Sequence, residues 1–180
     1  TTFALFFSVV AASAQHEALT TTKLSKAKSY YFRAKSFMNQ RDLANAEVEI
    51  NKAIDADSRF LEAYLLKAEM CSYGDFCECI VEALLAARAI DSTFDTYLDY
   101  NLANALYDNG QYTESKHYYS VFLTNPKANV KSKELAEQYM AKCQIAIDLV
   151  NNPVPFEPKS LGADLEQPYE QYWPSLSLDG

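Results

Sequence analysis

Tyr100–Pro126, YNLANALYDNGQYTESKHYYSVFLTNP, is the stretch that decides the fold of this chain. Apolar residues recur at helical spacing on both sides of Asn109-Gly110-Gln111. Glycine between two such runs marks a turn, and Pro126 stops the second run, because proline cannot continue a helix. Ala103 stands on the first run and Ser115 on the second. Small residues there let two antiparallel helices approach closely. The stretch predicts a helical hairpin.

Two upstream segments carry the same pattern. One is AKSYYFRAKSFMNQRDLANAEVEINKAIDADS from Ala27; the other is LEAYLLKAEMCSYGDFCECIVEALLAARAIDS from Leu61. Ala34 and Ala68 lie 34 residues apart, and Ala68 and Ala103 lie 35 apart. Ala53 and Ala87 are again 34 apart, as are Asp57 and Asp91. A period of this length marks stacked helical pairs, each too small to bury its apolar face alone.

The three segments resemble tetratricopeptide repeats. That family places a large residue on the first helix of each hairpin and a small one four positions later. Tyr30 with Ala34 and Tyr64 with Ala68 match. In the third segment Asp99 occupies the large position beside Tyr100, and Ala103 is the small residue. The family's Gly-x-aromatic turn is Gly110-Gln111-Tyr112, with a displaced version at Gly74-Asp75-Phe76 and only Arg41-Asp42-Leu43 in the first segment. On the second helix the small residue is Ala46 or Ser115; Cys79-Ile80 in the middle segment suggests a one-residue slip. Ala53 and Ala87 complete the packing positions. The expected fold class is all-α: a superhelix of three hairpins over 26–126, a lead-in over 15–25, and a capping helix over 129–150. An extended proline-rich tail follows. Within the capping helix the apolar positions are Leu135, Tyr139, Ala146 and Leu149, and Asn129 or Ser132 is the N-cap.

The resemblance implies an inner surface lined by the first helix of each hairpin. Its exposed positions would be Tyr31, Lys35 and Met38, then Leu65, Glu69 and Ser72, then Tyr100, Asn104 and Tyr107. Tyrosine suits such contacts because it buries area and keeps a polar tip. Chaperone-binding members of the family hold a terminal carboxylate with an ordered set of Lys, Asn and Arg. Lys35 and Asn104 are present here, but not in that order. The face is therefore either a peptide- or protein-binding surface or a spacer.

Composition narrows the function classes. The chain has 180 residues, a net charge of −8 and only four glycines. Lys and Arg number 8 against 6 Asp and Glu over 15–60, 7 against 13 over 61–150, and 1 against 5 over 151–180. An acidic surface disfavours nucleic acid, whose phosphates need cations. Lys23, Lys26, Lys28, Arg33 and Lys35 form the one basic cluster, which reads first as a solvated helix face. No G-x-S-x-G, H-E-x-x-H or phosphate-cradling glycine loop occurs, so neither an enzyme nor a cofactor is expected. The alternative is an accessory or enzyme of envelope polysaccharide handling.

Both ends point to export. Residues 3–14, FALFFSVVAASA, are too few to span a bilayer and end in an Ala-x-Ala pattern, as the remnant of a signal peptide would. Export permits disulfides. Cys71 and either Cys77 or Cys79 flank a predicted turn, leaving small buried thiols, a disulfide or, least favoured, a metal site open.

The tail over 151–180 contains NPVPFEPKSLG and ends YEQYWPSLSLDG. It resembles the junction in exported Bacteroidetes-type proteins of the OmpA family, where tetratricopeptide repeats lead into a WD-like (TolB-like) β-propeller. Some such proteins serve type IX secretion or gliding. That resemblance implies a periplasmic or outer-membrane-associated scaffold without a transmembrane span, whose partner is another envelope protein or peptide. Peptidoglycan would be bound only through a further domain.

Overall fold

The computed structural model describes residues 20–74 and 77–153, and among them seven helices and no strand. In order they are α1 (Ser25–Asn39), α2 (Leu43–Ala56), α3 (Leu61–Ser72), α4 (Cys77–Ile90), α5 (Leu98–Asp108), α6 (Tyr112–Leu123) and α7 (Val130–Asn151). Each hairpin packs on itself and on the next: α1 on α2, α3 on α4, α5 on α6, with α2 against α3, α4 against α5 and α6 against α7. This is the nearest-neighbour stacking of a helical-repeat superhelix.

Small residues sit where the helices cross. Ala34, Ala46, Ala53, Ala68, Ala87, Ala103 and Ser115 are all buried. Ser115 Oγ donates to the carbonyl of Ala103 at 2.7 Å, so its hydroxyl is satisfied inside the third hairpin. The middle hairpin corrects the expected slip. Helix α4 begins nine residues after Ala68, as α2 begins nine after Ala34 and α6 nine after Ala103. Ile80, itself buried, therefore holds the position of Ala46 and Ser115 without any shift. Cys79 beside it is small for a different reason: it is disulfide-bonded to Cys71 with 6.0 Å between Cα atoms, tying α4 to α3. Cys77 is a half-buried free thiol, and Cys143 is a buried one.

The turns follow the same register. Gly110 has φ +75°, the left-handed region that glycine enters without penalty. Arg41, seven residues after Ala34 as Gly110 is seven after Ala103, takes φ +58°. The equivalent position in the middle hairpin is Asp75, so Gly74 is one place early; Asp75 and Phe76 lie outside the described residues. A Cβ at Gly110 would meet nothing within 4 Å. Gly110→Ala is therefore expected to cost only the conformational penalty, roughly 1 kcal/mol. Urea unfolding checks it, and an unchanged midpoint would count against this turn geometry.

Large residues fill the grooves between hairpins, with one substitution of chemistry. Tyr30 is half-buried beneath the Arg33 guanidinium, 4.7 Å from the ring centroid. Tyr64 packs on the main core and donates its hydroxyl to the Ser58 carbonyl at 3.3 Å. Asp99, at the third large position, instead pairs with Arg88 of α4 at 2.5 Å. The Arg88 guanidinium also lies 5.1 Å from the ring centroid of Tyr118. An ion pair thus joins the second and third hairpins where the first two repeats use tyrosine.

Helix α7 is N-capped by Asn129, whose side chain accepts from the Ser132 amide at 2.8 Å. Its packed stripe differs from the one expected. Ala136 and Cys143 are buried, with Tyr139 and Met140 packed beside them. Leu149 is 59% exposed, and Leu135 and Ala146 are only half-buried. The buried stripe is set by weakly apolar residues that fit closely against α6. Cys143 Sγ lies 3.4 Å from Ser115 Oγ at that junction.

Candidate binding face on the inner surface

Helices α1, α3 and α5 carry the residues expected on the inner surface, and α7 continues their row. On α1, Tyr31 is half-buried against Phe60, ring centroids 5.0 Å apart, and the Lys35 ammonium lies 5.7 Å from the Tyr31 ring. Met38 and Leu65 are half-buried against the main core. Ser72 donates to the Glu69 carbonyl of its own helix at 2.6 Å. Burial, with the charges of Glu62 and Glu69 nearby, pushes the Tyr31 hydroxyl up to about 12. The α1 and α3 positions therefore do converge.

Glu69 is the electrostatic centre of this half. Its side chain is half-buried, and among the described residues no hydrogen bond or ion pair reaches its carboxylate. Loss of water raises its proton affinity, and the more distant Lys35 offsets this only in part. Its charge also raises the Tyr73 hydroxyl, although desolvation contributes more. A carboxyl raised above its unfolded value adds stability only when protonated. That contribution is complete in acid below the unfolded value and disappears as pH rises through the folded one. Glu69→Gln is expected to raise the melting temperature at pH 7, and the gain should shrink as pH falls. A lower melting temperature at pH 7 would contradict this.

The neighbouring carboxylate, Glu62, is already engaged. The Thr21 amide and hydroxyl donate to its two oxygens at 2.8 and 2.5 Å, and Thr21 Oγ1 accepts from the Leu61 amide at 3.2 Å. The lead-in thereby caps the start of α3, a connection that spacing along the chain did not reveal.

The third hairpin departs from expectation at Tyr100. Its ring is only 8% exposed and packs against Tyr119 and Phe122, so it is a core residue rather than an inner-surface one. The physical reason is Asp99: with a carboxylate at the large position, the adjacent tyrosine supplies the missing bulk. Asn104 remains half-buried on this face, and its side-chain oxygen accepts from the Tyr119 hydroxyl. Tyr107 is half-buried between Tyr112 and Tyr139, edge-on to both. Asp108, four residues after Asn104, reaches solvent, yet desolvation raises its carboxyl. The sequence did not single out Asp108, and it placed Tyr139 on the packed stripe of α7 rather than in this row, which Tyr139 joins through its edge-on contact with Tyr107.

Among the described residues no His, Cys, Asp and Glu group of three or more is gathered for a metal ion. No helix among them is long and apolar enough to cross a membrane.

This architecture is that of tetratricopeptide-repeat domains. The first such domain of Spaghetti (RPAP3), bound to the HSP90 peptide SRMEEVD, superposes with TM-score 0.56 at 17% identity, covering 68% of this chain and 94% of that one. The Sgt2 domain from Aspergillus fumigatus gives TM-score 0.55 at 14% identity, covering 78% and 94%. The MamA protein gives 0.53 at 14%, covering 83% and 84%. No family model and no curated protein matches the sequence. The shared feature is therefore the fold.

Proposed function

We propose that the chain is a non-catalytic interaction module whose inner face binds an extended segment of another polypeptide. The observation that carries this reading is the row of partly exposed residues at matching repeat positions: Lys35, Glu69 and Asn104, flanked by Tyr31, Leu65 and Tyr107. Half-buried side chains with apolar bodies and polar tips suit contact with a partner. The RPAP3 domain of the same fold holds a peptide.

A phage-displayed random 12-residue library panned on the protein tests it. Enriched peptides should lose capture on Tyr107→Ala or Leu65→Ser. They should keep it on Val48→Ser and Leu85→Ser, which alter exposed residues of α2 and α4. Equal loss on both pairs, or no enrichment, would overturn the reading. Circular dichroism of each variant separates lost binding from lost folding.

We further infer that this module belongs to an exported envelope protein, periplasmic or outer-membrane-associated and similar to the OmpA family. The support lies in the sequence of residues 3–14 and 151–180, of which all but 151–153 fall outside the described residues. The partner would then be another envelope protein. Fusing residues 1–153 to alkaline phosphatase, active only after export, should give activity in a bacterial host that depends on residues 1–14. Equal activity without those residues would refute export through them.

A further inference from the structure

We propose that the polypeptide bound on the inner face is cationic, with Glu69 and Asp108 receiving its lysine or arginine side chains between neighbouring tyrosines. This rests on the reading of the inner face as a binding surface and names the chemistry of its partner. Glu69 and Asp108 lie on consecutive first helices, α3 and α5. Asp108 follows Asn104 by one helical turn, and Asn104 holds the repeat position of Glu69, so all three share one face.

Three observations favour a cation. Among the described residues, neither carboxylate has a hydrogen bond or an ion pair, whereas Glu49, Glu62 and Asp99 are each engaged by cations or donors. Both unengaged carboxylates sit in surroundings that penalise their charge, a cost an incoming ammonium or guanidinium would offset. The charge of each also acts on tyrosine hydroxyls of this face, Glu69 on Tyr31 and Tyr73, Asp108 on Tyr107 and Tyr119. Ring faces attract the same cations, as Lys35 over Tyr31 and Lys142 over Tyr139 already show. The local cations are Lys35, whose ammonium faces Tyr31 and whose charge offsets part of the penalty on Glu69, Lys142 over Tyr139, and Arg41, which acts on Tyr73. Among the described residues none forms an ion pair with the two carboxylates.

Three synthetic peptide pools test it: 12-residue random frames of equal apolar content, enriched in Lys and Arg, in Asp and Glu, or in Gln. Retention on immobilised protein is measured at 50 and 500 mM NaCl. The basic pool should be retained at least tenfold better than the acidic one at low salt, and the advantage should collapse at high salt. The double variant Glu69→Gln, Asp108→Asn should lose that advantage while retaining the Gln pool within twofold. Preferential retention of the acidic pool, or a basic preference untouched by the double variant, would overturn the inference and leave the inner face a binding surface. Failure to retain any pool would overturn both. Because the two substitutions remove charges that the fold disfavours, loss of folding is not expected; circular dichroism verifies it.

Discussion

Phe122→Ala is expected to destabilise the protein by about 3–5 kcal/mol, the cost of removing a buried aromatic and leaving a cavity. Phe122 is fully buried on α6 and touches Tyr97 and Tyr100 with ring centroids 5.7 and 5.1 Å apart. It joins the third hairpin internally and closes the floor on which α7 rests. The melting temperature should fall by about 10–20 °C for a domain of this size. The distribution of the damage matters more than its total. In a stack where each repeat touches only its neighbours, stability is approximately a sum of local terms. Hydrogen exchange should therefore rise first in α5, α6 and α7 and last in α1 and α2. A uniform rise along all seven helices would describe a single cooperative bundle and contradict the repeat architecture.

The second large effect is expected from the Cys71–Cys79 disulfide. The bridge closes a loop of sequence separation 8, for which chain entropy gives about 2.5 kcal/mol. Reduction should lower the melting temperature by roughly 10 °C, and Cys71→Ser with Cys79→Ser should reproduce the effect and abolish the response to reductant. Iodoacetamide gives an independent reading. The folded, oxidised protein should take one label, at half-buried Cys77, and a second at Cys143 only after unfolding. Four labels before any reduction would show that the bridge is absent. The consequence reaches beyond the middle hairpin, because α3 and α4 connect the first repeat to the third.

The architecture was legible in the sequence because the informative residues act locally. Ala34, Ala68 and Ala103 recur at the repeat period and are all buried. Gly110 supplies the turn, and Asn129 caps α7 as its side chain requires. The errors arose where a neighbour in space decides. Tyr100 is a core residue because Asp99 is diverted to Arg88, and no local pattern connects those two helices. The apparent slip at Cys79 came from reading a small residue as a packing position when its size serves a disulfide. On α7, Leu149 carried more hydrophobic signal than Ala136 or Cys143, yet the close approach to α6 admits the smaller pair. Half of the inner face was legible for the same reason as the fold: α1 and α3 keep the repeat register. The α5–α7 half was legible only in part: Asn104 and Tyr107 are half-buried on it, but Tyr100 is drawn into the core and Tyr139 joins through tertiary packing.

The central claim is that the inner face of the stacked hairpins is where a partner binds. Amide chemical shifts of the labelled protein, titrated with a peptide enriched from the display library, test it most directly. Shifts should concentrate on α1, α3 and α5 around Lys35, Glu69 and Asn104 and leave Val48 and Leu85 unmoved. Shifts confined to α2, α4 and α6, with Lys35, Glu69 and Asn104 unchanged at saturation, would contradict the account.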